Sequence, residues 1–201
     1  MKNLTVKFSK NKRYSLSVFG IILLITFLFS LQCSDNIWNV GNAYTDSSVF
    51  RYVARVIRNG GMPYRDTFDH KGPLIYLINT LGLVISENYG IWLVEFTTIF
   101  LTFYFLYKIA RLSCNKGESL LILMICSAAL FKYFEGGNFT EEYALPFIAG
   151  SITIFTDYYF NGKISIFRLI LCGFCFGAVC MLRINMVSLW VVMCFGVIGE
   201  S

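Results

Sequence analysis

The sequence predicts an all-α fold: a polytopic transmembrane helical bundle with an outer loop carrying interfacial amphipathic helices. Three observations predict it. Of 201 residues, 56% are hydrophobic, 17% aromatic and only 14% charged, where soluble domains carry about 25% charged residues. So little polar surface excludes a soluble enzyme, a disordered tail and a nucleic-acid module. The apolar residues fall in runs approaching the ~20 residues that a spanning helix needs. The charges lie mostly between the runs, so their positions say more than the net charge of +5.

The first run, Tyr14 to Ser34, has no charged residue and follows Lys2, Lys7, Lys10, Lys12 and Arg13. The positive-inside rule places that N-terminus in the cytoplasm. Leu31-Gln32-Cys33-Ser34 lacks the small-residue pattern of a cleavage site, so the run reads as an uncleaved anchor. Further spans are expected near 91–110, 119–134, 143–160, 164–182 and 185–199. Glu95, Lys132, Asp157 and Arg168 lie near span ends and read as residues reaching the headgroups. Gly173 and Gly177 form a G-x-x-x-G that reads as ordinary close helix packing.

The uncharged stretch 72–86 is short for a span. If it does not cross, ten basic residues outside the first loop face the cytoplasm and two, Lys132 and Arg183, face out; if it crosses, the ratio is seven to five. The first arrangement obeys the positive-inside rule better. It makes 73–86 an interfacial helix, gives six spans, and puts loop 35–90, loop 135–142 and Arg183 on the outer side.

In the first outer loop, Asp46-Ser47 and Gly60-Gly61 bracket a helix near 47–59 as N-cap and C-cap. At 100° per residue Val49, Val53, Val56 and Ile57 share one face, with Arg51, Arg55 and Arg58 opposite. That suits a helix lying on a membrane with its basic side toward water or lipid phosphate. Pro73 suits the first position of the next helix. Lys71, just before it, stands where free N–H groups and the helix dipole favour an anion, either as a phosphate ligand or as a snorkelling lysine. His70, the only histidine, is flanked by Asp69 and does not specify a metal site by itself.

In the second loop Thr140 reads as a cap, with Glu141 and Glu142 in the first turn of the following helix. Those adjacent carboxylates suit dipole compensation, a cation or sugar hydroxyls. Pro146 should kink or delay that helix start. Asn138-Phe139-Thr140 matches a glycosylation sequon in a tight loop. Arg183, with Asn185 beside it, lies between two apolar runs and is a functional candidate because a charge at that depth is costly. Most of the seven cysteines lie inside apolar runs and read as small hydrophobes, Cys172-x-x-Cys175 included; Cys33 and Cys114 lie near span ends with nothing to pair them.

Tyr44-Thr45-Asp46, then the segment from Asn59-Gly60-Gly61-Met62-Pro63-Tyr64 through Arg65-Asp66-Thr67-Phe68-Asp69-His70-Lys71-Gly72-Pro73-Leu74-Ile75-Tyr76, then Thr140-Glu141-Glu142 and Arg183, together resemble the GT-C superfamily of membrane glycosyltransferases. The nearest branch is that of the protein O-mannosyltransferases and aminoarabinose transferases. The resemblance implies an enzyme that transfers a sugar from a polyprenyl-phosphate donor to a glycan, lipid or protein acceptor, at a cavity on the outer side of a bacterial plasma membrane. It implies Asp46 as the catalytic acid of the first loop, acting as general base or acceptor-orienting group, Lys71 and Arg183 as ligands of the lipid phosphate, and Glu141 or Glu142 as the second-loop acid. His70 and Asp69 are accessory candidates. No cofactor is certain; a divalent metal is open, though Ser47 follows Asp46 where many members carry Glu. A non-catalytic binder or transporter of lipid-linked glycans, or an inactive truncated homologue, is the alternative. Members are usually longer, so the chain reads as an N-terminal fragment.

Overall fold

The computed structural model describes residues 16–36, 38, 45–134 and 136–198. Among them the fold is entirely helical, without strands. Eight α-helices follow one another: α1 Leu16–Ser30, α2 Thr45–Arg58, α3 Pro73–Ile85, α4 Gly90–Ala110, α5 Lys116–Phe131, α6 Thr140–Asn161, α7 Ile166–Leu182 and α8 Ser188–Ile198. A 3₁₀ turn, Ile184–Val187, joins the last two. The expected helix near 185–199 is thus broken at its start, since Arg183 is extended and the chain must re-form a turn before α8.

Local chemistry fixes most ends. Asn115 and Glu118 form a reciprocal capping box, so α5 begins at Lys116, three residues before the expected 119. Ser165 accepts the Arg168 N–H and opens α7, while Gly162, at φ 64°, stops α6 in the left-handed region. Gly60, at φ 86°, ends α2 in the same way, with Gly61 N–H returning to the Val56 carbonyl. Two expected caps are relocated. Asp46 lies within the first turn of α2, and Thr140 is the first residue of α6, its hydroxyl donating to the Glu141 carboxylate. Pro146 lies inside α6, which continues through it. Among the described residues only α4 is long and apolar enough to cross a membrane by length and composition.

Two apolar cores organise the helices. One gathers Ile22 and Phe29 of α1, Ile99 and Phe103 of α4 and Leu123 of α5, with Phe29 edge-on to Phe103. The other joins Phe50 of α2, Ile75 of α3, Tyr143 of α6, Val179 and Leu182 of α7 and Trp190 of α8. α4 and α6 pack together. The α2–α3 hairpin does not lie free: α3 buries Ile75, Tyr76, Asn79, Gly82 and Leu83 against α2, α4 and α7. Gly82 and Gly90 make the α3–α4 contact so close that a Cβ on Gly90 would lie 1.8 Å from the Gly82 carbonyl oxygen. Gly173 and Gly177 behave otherwise than expected: nothing among the described residues lies within 4 Å of where their Cβ atoms would be, so they serve no close packing among those residues.

Candidate functional site

The connections after α1, between α2 and α3, between α5 and α6, and after α7 converge at one end of the bundle. Ser34 N–H donates to the Gly136 carbonyl at 2.6 Å, tying the end of α1 to the α5–α6 loop. Gly72 lies against the end of α7, where a Cβ would meet the Met181 carbonyl oxygen at 2.0 Å. No side chain larger than hydrogen fits there.

The Gly72 contact assembles a rim at this end of the bundle from residues far apart in sequence. Lys71, next to Gly72, pairs with Asp46 of α2 at 3.9 Å. Arg183, next to Leu182, pairs with Glu141 of α6 and donates from Nε to Asn185 Oδ1 at 3.1 Å. Four sequence candidates, Asp46, Lys71, Glu141 and Arg183, therefore meet on one rim as two partly exposed ion pairs. The loop below Lys71 is held by its own polar groups. Tyr64 O–H donates to the Lys71 carbonyl at 2.6 Å, and Tyr76 O–H to Asp69 at 2.8 Å. Asp69 is spent on Tyr76 and on the His70 N–H, while the His70 ring is mostly exposed. Asp66 accepts from Arg65 and from the Met62 N–H, which holds its carboxyl down at about 2.

Beneath the rim is a buried polar network. Arg51 turns inward and pairs with Asp35, both nearly inaccessible. This corrects the expected solvated arginine face of α2: only Arg55 and Arg58 stay on it, and both reach Glu87. Burial pushes the Asp35 carboxyl above its ordinary range, and Arg51 and Ser47 partly offset that. Ser47 donates to Asp35 at 3.3 Å and accepts from Asn138 Nδ2 at 2.7 Å. Asn138 also exchanges amide hydrogen bonds with Asn79 of α3, both at 2.9 Å, and accepts from Tyr143 O–H at 3.0 Å. It is fully buried with φ 60°, so the sequon asparagine is a structural hub and not an accessible acceptor.

Deeper still, Cys33, Glu95 and Glu142 bring one sulfur and two carboxylate oxygens within 4.8 Å of one another, all buried. Glu142 Oε2 accepts the Asn138 N–H at 2.8 Å. Glu142 Oε1 and both oxygens of Glu95 have no hydrogen-bond partner among the described residues. Gly137, at φ 78°, closes over them: a Cβ would sit 2.4 Å from Glu95 Oε1 and 3.0 Å from Cys33 Sγ. The expected Glu141–Glu142 pair is thus divided, because neighbours on a helix point about 100° apart; Glu141 serves the rim and Glu142 the interior.

Sequence reasoning passed over Glu95, Cys33, Asp35, Asn79 and Asn138. Glu95 had a signal: it lies about 7 Å along α4 from Gly90 at 1.5 Å per residue, deeper than a headgroup-reaching acid, and such a residue is a functional candidate by default. Cys33 had none, since only the fold brings it to two carboxylates.

A family model described as "Putative competence-induced protein Ccs4 N-terminal domain" matches residues 2–200. No curated protein and no solved structure matches the chain. The match overturns the resemblance to the GT-C glycosyltransferases, and with it the sugar-transfer activity. What the short outer-loop motifs share with that superfamily is explained within this fold by the loop's own hydrogen bonds and ion pairs. Spanning nearly the whole sequence, the match shows that the chain belongs to the competence-induced Ccs4 N-terminal domain family.

Proposed function

We propose that this chain is a polytopic integral membrane protein of the competent state, N-terminus in the cytoplasm, whose outer rim holds the phosphate of an anionic lipid headgroup. The family's description supplies the link to competence. Membrane immersion is supported by the surface: α7 exposes Ile166, Phe167, Ile170 and Phe174, α8 exposes Val191, Val192 and Phe195, and α5 exposes Leu121 and Ile125. Apolar patches spread over several helices suit lipid and not water. On this reading α1, α4, α5, α6, α7 and α8 cross, α2 and α3 lie at the outer interface, and the basic residues sort by the positive-inside rule.

The observation that carries the lipid reading is the Gly72 contact, which sets Lys71 and Arg183 on one rim beside the N-terminus of α3. That terminus has Gly72 as its cap and no side-chain hydrogen bond to its first N–H groups, so it favours an anion. Asp46 and Glu141 now hold the two cations, and a headgroup phosphate would exchange for them, giving reversible binding. Each basic side chain near an anionic surface is worth about 1 kcal/mol, so the Lys71→Ala/Arg183→Ala double change should weaken retention of anionic lipid roughly 30-fold. Native mass spectrometry of the protein in nanodiscs of phosphatidylglycerol and phosphatidylcholine reads this directly. Equal retention of both lipids by the natural protein, or no change in the double variant, refutes the lipid reading. Topology is tested separately in a cysteine-free background. A membrane-impermeant maleimide applied to intact cells should label Phe68→Cys and not Lys163→Cys; the reverse pattern refutes the orientation.

A further inference from the structure

We propose that Cys33, Glu95 and Glu142 form a binding site for a thiophilic divalent cation of the zinc type, independent of the lipid-binding rim above it. The three side chains come from the end of α1, from α4 and from the first turn of α6, so only the assembled bundle creates the set. All three are buried, and three of the four carboxylate oxygens have no hydrogen-bond partner among the described residues. Two unpaired carboxylates removed from water cost several kcal/mol each, unless a positive charge joins them. The cations of the neighbourhood are already engaged: Arg51 with Asp35, Arg183 with Glu141 and Lys71 with Asp46. None is directed to Glu95.

The donor set decides the kind of cation. Magnesium and calcium want six or more oxygen ligands. One thiolate and two carboxylates match zinc, which takes sulfur and oxygen donors together and often leaves its fourth position to water. Tetrahedral zinc with bonds of about 2.0–2.3 Å holds its donors roughly 3.3–3.8 Å apart, so the present cluster, within 4.8 Å, closes onto the ion by small side-chain rotations. Gly137 is the cradle, since any Cβ there would fall on Glu95 Oε1 and Cys33 Sγ. Binding releases the thiol proton of Cys33 together with any proton the carboxyl groups carry.

The test uses the full chain in detergent micelles, stripped with a chelator and titrated with zinc. Elemental analysis should return one zinc per chain. Cys33→Ser and Glu95→Gln should each weaken binding by more than the roughly 10–100-fold that outer partners alone cost, while Cys172→Ser/Cys175→Ser leaves it unchanged. Cobalt(II) should give a thiolate-to-metal charge-transfer band that Cys33→Ser abolishes. Zinc, and not magnesium, should raise the melting temperature of the natural protein; Glu95→Gln, which stays folded because it removes an unpaired buried charge, should show no such rise. No zinc at equilibrium, as when a proton shared by the two carboxyls is the only occupant, overturns the proposal. So does zinc that follows Cys172 and Cys175, or zinc retained in full by Cys33→Ser and Glu95→Gln.

Discussion

Arg51→Met is the sharpest test of how the outer end is held together. In the structure Asp35 is 1% exposed and Arg51 8%, and the two form an ion pair. Apart from Arg51, the one hydrogen bond Asp35 receives among the described residues comes from Ser47 Oγ at 3.3 Å. Removing the guanidinium leaves a buried carboxylate with a single long, neutral donor, and breaking a buried pair by deleting one partner costs about 3–5 kcal/mol. Removing both charges should cost far less, because the well-packed neutral pair has no ion to desolvate. The expected cycle is therefore strongly coupled: Arg51→Met destabilises by about 3–5 kcal/mol, Asp35→Asn by less, and the double variant recovers at least roughly 2 kcal/mol of the first loss. Asp35→Asn is the milder single change because Arg51 keeps a contact to the Glu87 carbonyl, at 3.5 Å. Equilibrium unfolding in mixed SDS micelles gives all four corners. A loss below about 1 kcal/mol for Arg51→Met, the range of exposed pairs, would refute the inward placement of Arg51.

Three other predictions bear on the same end of the molecule. Asn138→Ala removes partners from Ser47, Asn79 and Tyr143 at once, and with each stranded buried group costing about 1–3 kcal/mol the loss should reach roughly 3 kcal/mol or more in the same unfolding assay. Gly72→Ala places a Cβ 2.0 Å from the Met181 carbonyl oxygen, so cross-linking between probes at 71 and 183 should fall sharply while Gly173→Ala, in ordinary helix with nothing within 4 Å of its Cβ position, leaves that cross-link intact. Asp66, held down to about 2 by Arg65 and the Met62 N–H, stabilises its turn fully above its unfolded value of 3.8; that contribution fades as pH falls from there through about 2. The protection factor of the Met62 amide, its exchange rate relative to the unstructured rate at the same pH, should hold at mildly acid pH and fall only below it, and Asp66→Asn should flatten the dependence.

The helical character was legible because it rests on local information. Apolar runs, Gly60 and Pro73 each act within a turn or two of chain, and the structure uses them where they stand. Arg51, Glu95 and Cys33 were misread because each is defined by a partner more than twelve residues away. A helical wheel places Arg51 on a polar face with Arg55 and Arg58; it contains no Asp35, and so cannot show that one member of the stripe is drawn inward. A hydropathy reading treats Cys33 as apolar and Glu95 as a tolerated end charge, because it scores residues singly. Their meaning comes from lying within 4.8 Å of each other and of Glu142.

The same distinction explains why a short-motif resemblance misled. Gly60-Gly61, Tyr64, Asp66, Asp69, Lys71-Gly72-Pro73 and Tyr76 read in sequence as the furniture of a catalytic loop. In the fold they make a well-braced connection. Gly60 turns the chain; Asp66 closes on Met62; Tyr64 and Tyr76 fasten the loop by their hydroxyls; Gly72 lets it touch α7; Pro73 starts the next helix. Any interfacial hairpin that must return to the bundle in about a dozen residues needs these devices, whatever chemistry follows. Loop-building residues therefore carry little information about a reaction. The informative residues are those the local structure does not need and cannot satisfy. In this chain they are Glu95 and Glu142, whose free oxygens serve no cap, turn or strut, and the ion that joins them is where the chemistry of this fold should be sought.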